Sequence, residues 1–208
     1  MGPAPVAVRA IRLVNRHSNP RAIVTATLIR DFRADRLPAV ETEWGPARQT
    51  GVEWAVSQGR DVHHWHWDWK HKTASVLAGE RRLIAIECSG SVQGLMAVKT
   101  ETPLARLGGG ALLYVDYLES APWNTKSLCP NPQFSPVGTI LMREAIHLSR
   151  ESGLGGRVGL HSLETAEEFY EERCLMTRVG VDMAYHRLVY FEYNEQQATD
   201  WLVSAGLH

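Results

Sequence analysis

Four prolines, Pro122, Pro130, Pro132 and Pro136, crowd one short stretch, and no helix or strand can run through it because each lacks an amide donor and fixes its own φ. The stretch must be a loop, and the chain changes character across it. Upstream, Ala7 to Val14 and Ala22 to Ile29 are apolar, β-branched runs parted by Asn15, Ser18, Asn19 and Pro20, the pattern of a strand hairpin. Leu83 to Glu87, the turn Cys88 to Ser91, and Val92 to Val98 write a second hairpin. Gly94 inside its second strand marks a bend or a place where something approaches the backbone. The turn Gly108-Gly109-Gly110 then leads into a strand from Ala111 to Leu118. Between the hairpins the residues after Leu37-Pro38 read as a polar stretch, followed by a helical period from about Gly51 to Val76 that breaks near Gly59.

Downstream of the prolines, Ser135-Pro136 reads as the start of the clearest helix, with serine as N-cap and proline as first helical residue. Leu141, Ala145 and Leu148, flanked by Met142 and Ile146, make its buried stripe, while Arg143, His147 and Arg150 fall on a solvated line. Val158 to His161 follows as a strand. Thr165 and Glu168 are spaced as a capping box for a helix from Ala166 to Arg173. Met176 to Ala184 and His186 to Tyr193 alternate as two more strands, and Gln196 to Val203 forms a short terminal helix.

The order of elements is α+β, and 208 residues with 44 % hydrophobic content suffice for one core, so residues 1–208 are read as a single domain. With 22 Lys+Arg against 23 Asp+Glu the net charge is -1, which disfavours nucleic acid and anionic lipid as partners and leaves any phosphate-bearing ligand to local donors. Apolar runs are too short for a bilayer and no basic, apolar leader opens the chain, so a cytoplasmic protein with no membrane partner is expected. Three cysteines, Cys88, Cys129 and Cys174, show neither a disulfide frame nor zinc spacing.

Two stretches carry a resemblance. Gln133-Phe134-Ser135-Pro136-Val137-Gly138, followed by Thr139-Ile140-Leu141-Met142, resembles the Q/R-x-x-G-x-G/A pyrophosphate loop and helix of the GNAT superfamily of acyl-CoA-dependent N-acyltransferases. Ala166-Glu167-Glu168-Phe169-Tyr170-Glu171 is similar to that superfamily's A-x-x-F-Y-E helix. Tyr117 to Asn124 and Gly159 to Leu163 are similar to segments of uncharacterised bacterial members. Pro136 replaces the loop's first glycine, Leu163 an asparagine, and Cys174-Leu175 a G-F pair. The resemblance spans about half the chain, with residues 83–193 as the best-matching core and residues 1–37 as an N-terminal hairpin addition.

The resemblance implies a mixed, mostly antiparallel central sheet flanked by helices, with an acyl-CoA wedged between splayed central strands. It implies an N-acetyltransferase that takes acetyl-CoA, or another acyl-CoA, as cosubstrate. A primary amine, from a small molecule or a peptide, attacks directly in a ternary complex. Oligomeric state stays open. Cofactor contacts are expected from Gln133, Ser135, Val137, Gly138 and Thr139, because a helix start leaves amides unpartnered and points its dipole at an anion, and from Gly94, Leu95 and Met96 of the strand. Tyr170 is the implied acid for the departing thiolate. Glu119 is the first candidate for the base, with His161 and Glu192 behind it. A non-catalytic acyl-CoA-binding module is the alternative, in which neither proton-transfer group is needed.

The segment His63 to His71 stands apart. On a helix His64, Asp68 and His71 share one face, but one helix rarely encircles an ion, so no metal is expected. Trp65 and Trp69 are spaced to face the core, and His63 and Trp67 to border an acceptor pocket.

Overall fold

The computed structural model describes residues 8–60 and 68–204. The fold is α+β, with nine strands paired mostly antiparallel and helices against them. The chain groups into two compact units, one of Met1–Ala97 with Leu118–Leu141, the other of Val98–Tyr117 with Met142–His208.

In the first unit β1 (Val8–Asn15) and β2 (Ala22–Arg30) form the expected hairpin, in register from Val8 opposite Ile29 to Asn15 opposite Ala22. β2 continues onto β3 (Arg81–Cys88), which neighbours β4 (Ser91–Lys99) across a tight turn at Ser89 and Gly90, both with positive φ. Leu13, Leu28, Leu83, Ile84, Ile86, Leu95 and Met96 fill the core here. Helix α1 (Leu37–Ser57) begins with Leu37-Pro38, where a polar stretch was expected, and well before Gly51. Its buried stripe is Leu37, Val40, Glu41, Trp44, Arg48, Gly51 and Ala55, and the two charged members hide the helical period from a count of apolar residues. After the residues outside the described set comes a 3₁₀ turn, Lys70–Lys72, and a short α2 (Thr73–Leu77).

The proline-rich stretch is indeed irregular, and its path is fixed by one buried side chain. Gln93 on β4 accepts from the Trp123 indole at 2.8 Å and the Asn124 amide at 2.9 Å, and donates to the Cys88 carbonyl at 3.0 Å. Asn124 in turn accepts from the Phe134 amide at 2.8 Å. That bond delivers β6 (Phe134–Ser135) to the edge of β1, with Ser135 opposite Val14.

In the second unit β5 (Leu113–Ser120, of which the last three residues belong to the first unit) pairs in parallel with β7 (Val158–Ser162). β7 pairs with β9 (Leu188–Tyr193), and β9 with β8 (Thr177–Asp182), both antiparallel. Helix α3 (Val137–Glu151, of which the first five residues belong to the first unit) shows the expected stripe, with Leu141, Met142, Ala145, Ile146 and Leu148 buried. Only Arg150 of its three basic residues is exposed; Arg143 and His147 are half-buried. The capping box does not form: Thr165 lies inside a 3₁₀ turn, Glu164–Ala166, whose N-cap is Leu163 without a side-chain bond. A π-helical turn, Phe169–Arg173, replaces the expected helix end and is closed by Cys174 N–H to Phe169 C=O at 3.0 Å. Helix α4 (Glu195–Ser204) ends the described chain.

Candidate active site

The start of α3 is the first candidate. Pro136 gives its carbonyl to the Ile140 amide at 3.2 Å, the first helical bond, so Pro136 occupies the N-cap and Ser135, expected there, is a strand residue. The shift by one residue leaves the free amides in place. The amides of Val137, Gly138 and Thr139 precede the first helical bond, and Gly138 and Thr139 are half-exposed, so donors and dipole meet at an accessible end of a 15-residue helix. Gln133 is held through its backbone, receiving from Arg16 N–H at 2.8 Å and donating to the Trp123 carbonyl at 3.1 Å. Gly94 answers a packing need: a Cβ there would stand 2.5 Å from Val137 Cγ1, so the first turn of α3 is what approaches the strand. Leu95 and Met96 have fully buried side chains.

Glu119 sits in a buried charge network of the first unit. Its Oε1 accepts from Arg48 Nε and Nη2, both at 3.3 Å, and its Oε2 from the Trp69 indole at 2.6 Å. Arg48 also binds Glu41 at 2.6 Å, and Glu41 Oε2 accepts the Trp69 amide at 3.1 Å. Burial raises the Glu119 pKa, opposed by Arg48 and by the Trp69 bond. Burial likewise lowers that of Lys72, whose ammonium feels Glu119, Asp68 and Glu41. Trp69 is fully buried, as its spacing predicts; His63, His64, Trp65 and Trp67 lie outside the described residues. His71 is exposed and pairs with Asp68 at 3.4 Å, and among the described residues no cluster of metal-ligating side chains occurs.

In the second unit Tyr170 lies on the π-helical turn, buried against the rings of Phe169 and Phe191. Among the described residues its hydroxyl makes no hydrogen bond, and burial pushes its pKa well up, so the phenol keeps its proton. His161 is committed on both sides: Nδ1 meets the Tyr114 hydroxyl at 2.6 Å and Nε2 meets Asp182 at 3.1 Å. No ring nitrogen is left for an amine, which corrects its expected place as a base. Glu192 is fully buried and accepts from Tyr190 and from the amides of Arg106 and Leu107, at 2.9, 2.8 and 2.7 Å, so it is a loop anchor.

Among solved structures, the PaiA N-acetyltransferase of Thermoplasma acidophilum, in complex with coenzyme A, superposes with a TM-score of 0.53 over 82% of this chain and 99% of that chain, at 12% identity. The chain has the GNAT N-acetyltransferase fold. A putative GNAT acetyltransferase from Desulfovibrio desulfuricans matches at a TM-score of 0.51, over 82% of this chain and 99% of that one, with 13% identity. A bacterial toxin matches over 98% of both chains at 0.51 and 11% identity. No protein-family model matches the sequence, and no curated protein matches it either. At these identities the likeness is one of fold.

Within the GNAT fold, several residues that shape the candidate site carry no motif. Arg48 and Glu41 are i, i+7 on α1, a spacing that places both on one helical face and was the available signal. Gln93 had none, since its partners lie 30 and 31 residues away.

Proposed function

We propose that the chain is a GNAT-type N-acyltransferase that moves an acetyl group, or another acyl group, from acyl-CoA to a primary amine. The observation that carries the reading is the accessible start of α3, three amides ahead of the first helical bond in a fold of this kind. Gln133, Ser135, Val137, Gly138 and Thr139 form the pyrophosphate end, and Gly94, followed on its strand by Leu95 and Met96, serves it by leaving room for the first turn of the helix. The amine nitrogen forms the new C–N bond at the thioester carbon, the C–S bond breaks, and the thiolate takes a proton from Tyr170. Glu119 is assigned the amine's proton. Burial raises its proton affinity above that of an ordinary carboxylate, the direction a general base needs, while Arg48 and Trp69 oppose that rise and orient it.

The test is calorimetric. Gly138→Glu places a carboxylate where the phosphates would sit and should weaken CoA binding by about tenfold or more while the fold persists. Unchanged affinity in a folded variant overturns the placement. CoA binding without acyl transfer to any of a panel of amines would leave the non-catalytic module.

A further inference from the structure

The second unit holds a cleft of about 200 Å³ that the acyl-transfer reading does not use. Tyr114, Tyr190 and His161 line it with Tyr185, Lys99 and Arg106, all within that unit. What it can bind follows from where its protons point. Arg106 and His161 both bond Asp182, and Arg106 holds that carboxyl down at about 2, so it is ionised and His161 carries its proton on Nε2. Nδ1 is then the acceptor and takes the Tyr114 hydroxyl proton. Tyr190 donates a hydrogen bond to Glu192, and Tyr185 donates one to Asp116 at 3.3 Å. All three phenols donate to internal acceptors, and what they offer the cleft is ring surface.

Two cations lie on those rings. The Arg106 guanidinium is 4.0 Å from the Tyr190 ring centre and Lys99 Nζ is 4.7 Å from that of Tyr114. Arg106 is neutralised by Asp182. Lys99 makes no ion pair among the described residues, so it is the charged donor left uncommitted, with Glu101 standing exposed at the rim. The volume falls below the roughly 300 Å³ where drug-sized ligands begin, which leaves room for about one ring and one substituent.

We infer that this cleft is a binding site for a small flat apolar ring bearing a single carboxylate, the ring lying among the tyrosines and the carboxylate on Lys99. One uncommitted cation matches one negative charge; inorganic phosphate offers more charge and no flat face. The site lies inside one unit and needs no CoA, so it stands or falls apart from the acyl-transfer reading.

The experiment titrates the full chain, without CoA, with benzoate, benzamide, benzylamine and inorganic phosphate, following heat and the His161 ring resonances, since that imidazole stacks on Tyr185 at 4.1 Å. Benzoate should saturate and bind about tenfold or more tighter than benzamide. Lys99→Met should erase that preference and Lys99→Arg should keep it. Tyr185→Leu should weaken both ring ligands alike, which keeps the test decisive if Lys99→Met does not fold. Absence of saturation by about 10 mM benzoate overturns the site. So does equal binding of benzamide, tighter binding of benzylamine or phosphate, or a preference that survives Lys99→Met.

Discussion

A phenol that hands over a proton must hold that proton firmly and owe it to no neighbour. Tyr170 meets both conditions, since burial keeps it protonated and no described residue bonds its hydroxyl. Tyr170→Phe keeps the ring packed on Phe169 and Phe191, so unfolding and CoA affinity should match the parent while kcat falls by about tenfold or more. Steady-state rates beside a CoA titration check this, and parental turnover with chemistry rate-limiting would move the acid elsewhere. Tyr170 stood out in the sequence as a candidate through the motif around it. His161 was legible as a candidate but its engagement was not, because Asp182 and Tyr114 lie 21 and 47 residues away and no spacing announces them. Gly159 is a similar case. A Cβ there would collide with the Tyr190 hydroxyl that serves Glu192, a requirement set by a residue 31 positions downstream.

At the scale of elements, α1 buries charge where a helix ordinarily buries leucine. Arg48 stands between Glu41 and Glu119, and removing it leaves two carboxylates in the core without their cation. Arg48→Met should therefore destabilise by about 3 to 5 kcal/mol, measured by urea denaturation, and a loss below about 1 kcal/mol would show that the network is solvated. This burial is also why the first half of α1 escaped the apolar period. The hairpins were read correctly because their turn residues and β-branched runs agree with the pairing the sheet imposes. The turn after β7 was misread for the opposite reason. Thr165 and Glu168 have capping-box spacing, but the chain enters the turn two residues earlier, at Leu163, and widens into a π turn that sets Tyr170 against Phe191.

For the molecule as a whole, the near balance of charge makes stability depend on individual buried groups more than on a global field. His161 is held below the ordinary histidine pKa, chiefly by burial, with Arg106 and Lys99 adding to the effect and Asp182 opposing it. Its folded pKa is lowered, so its contribution is present above the unfolded value of about 6.5 and is lost as pH falls through the folded one. The urea midpoint should drop between about pH 7.5 and pH 5.5, and by less in His161→Gln; equal drops would acquit this histidine. Fold class was legible in the order of hairpin, strand, loop, helix and strand, whereas the aromatic cleft was not, because its members come from six separate strands and loops. Among the described residues no helix is long and apolar enough to cross a membrane. Glu192 fastens the loop ahead of β5 through two main-chain amides, at Arg106 and Leu107. Such a fastening reads no letters: apart from proline, position 107 accepts any residue without loosening the clasp, so sequence can drift along this rim, or be randomised by design, while its path stays put.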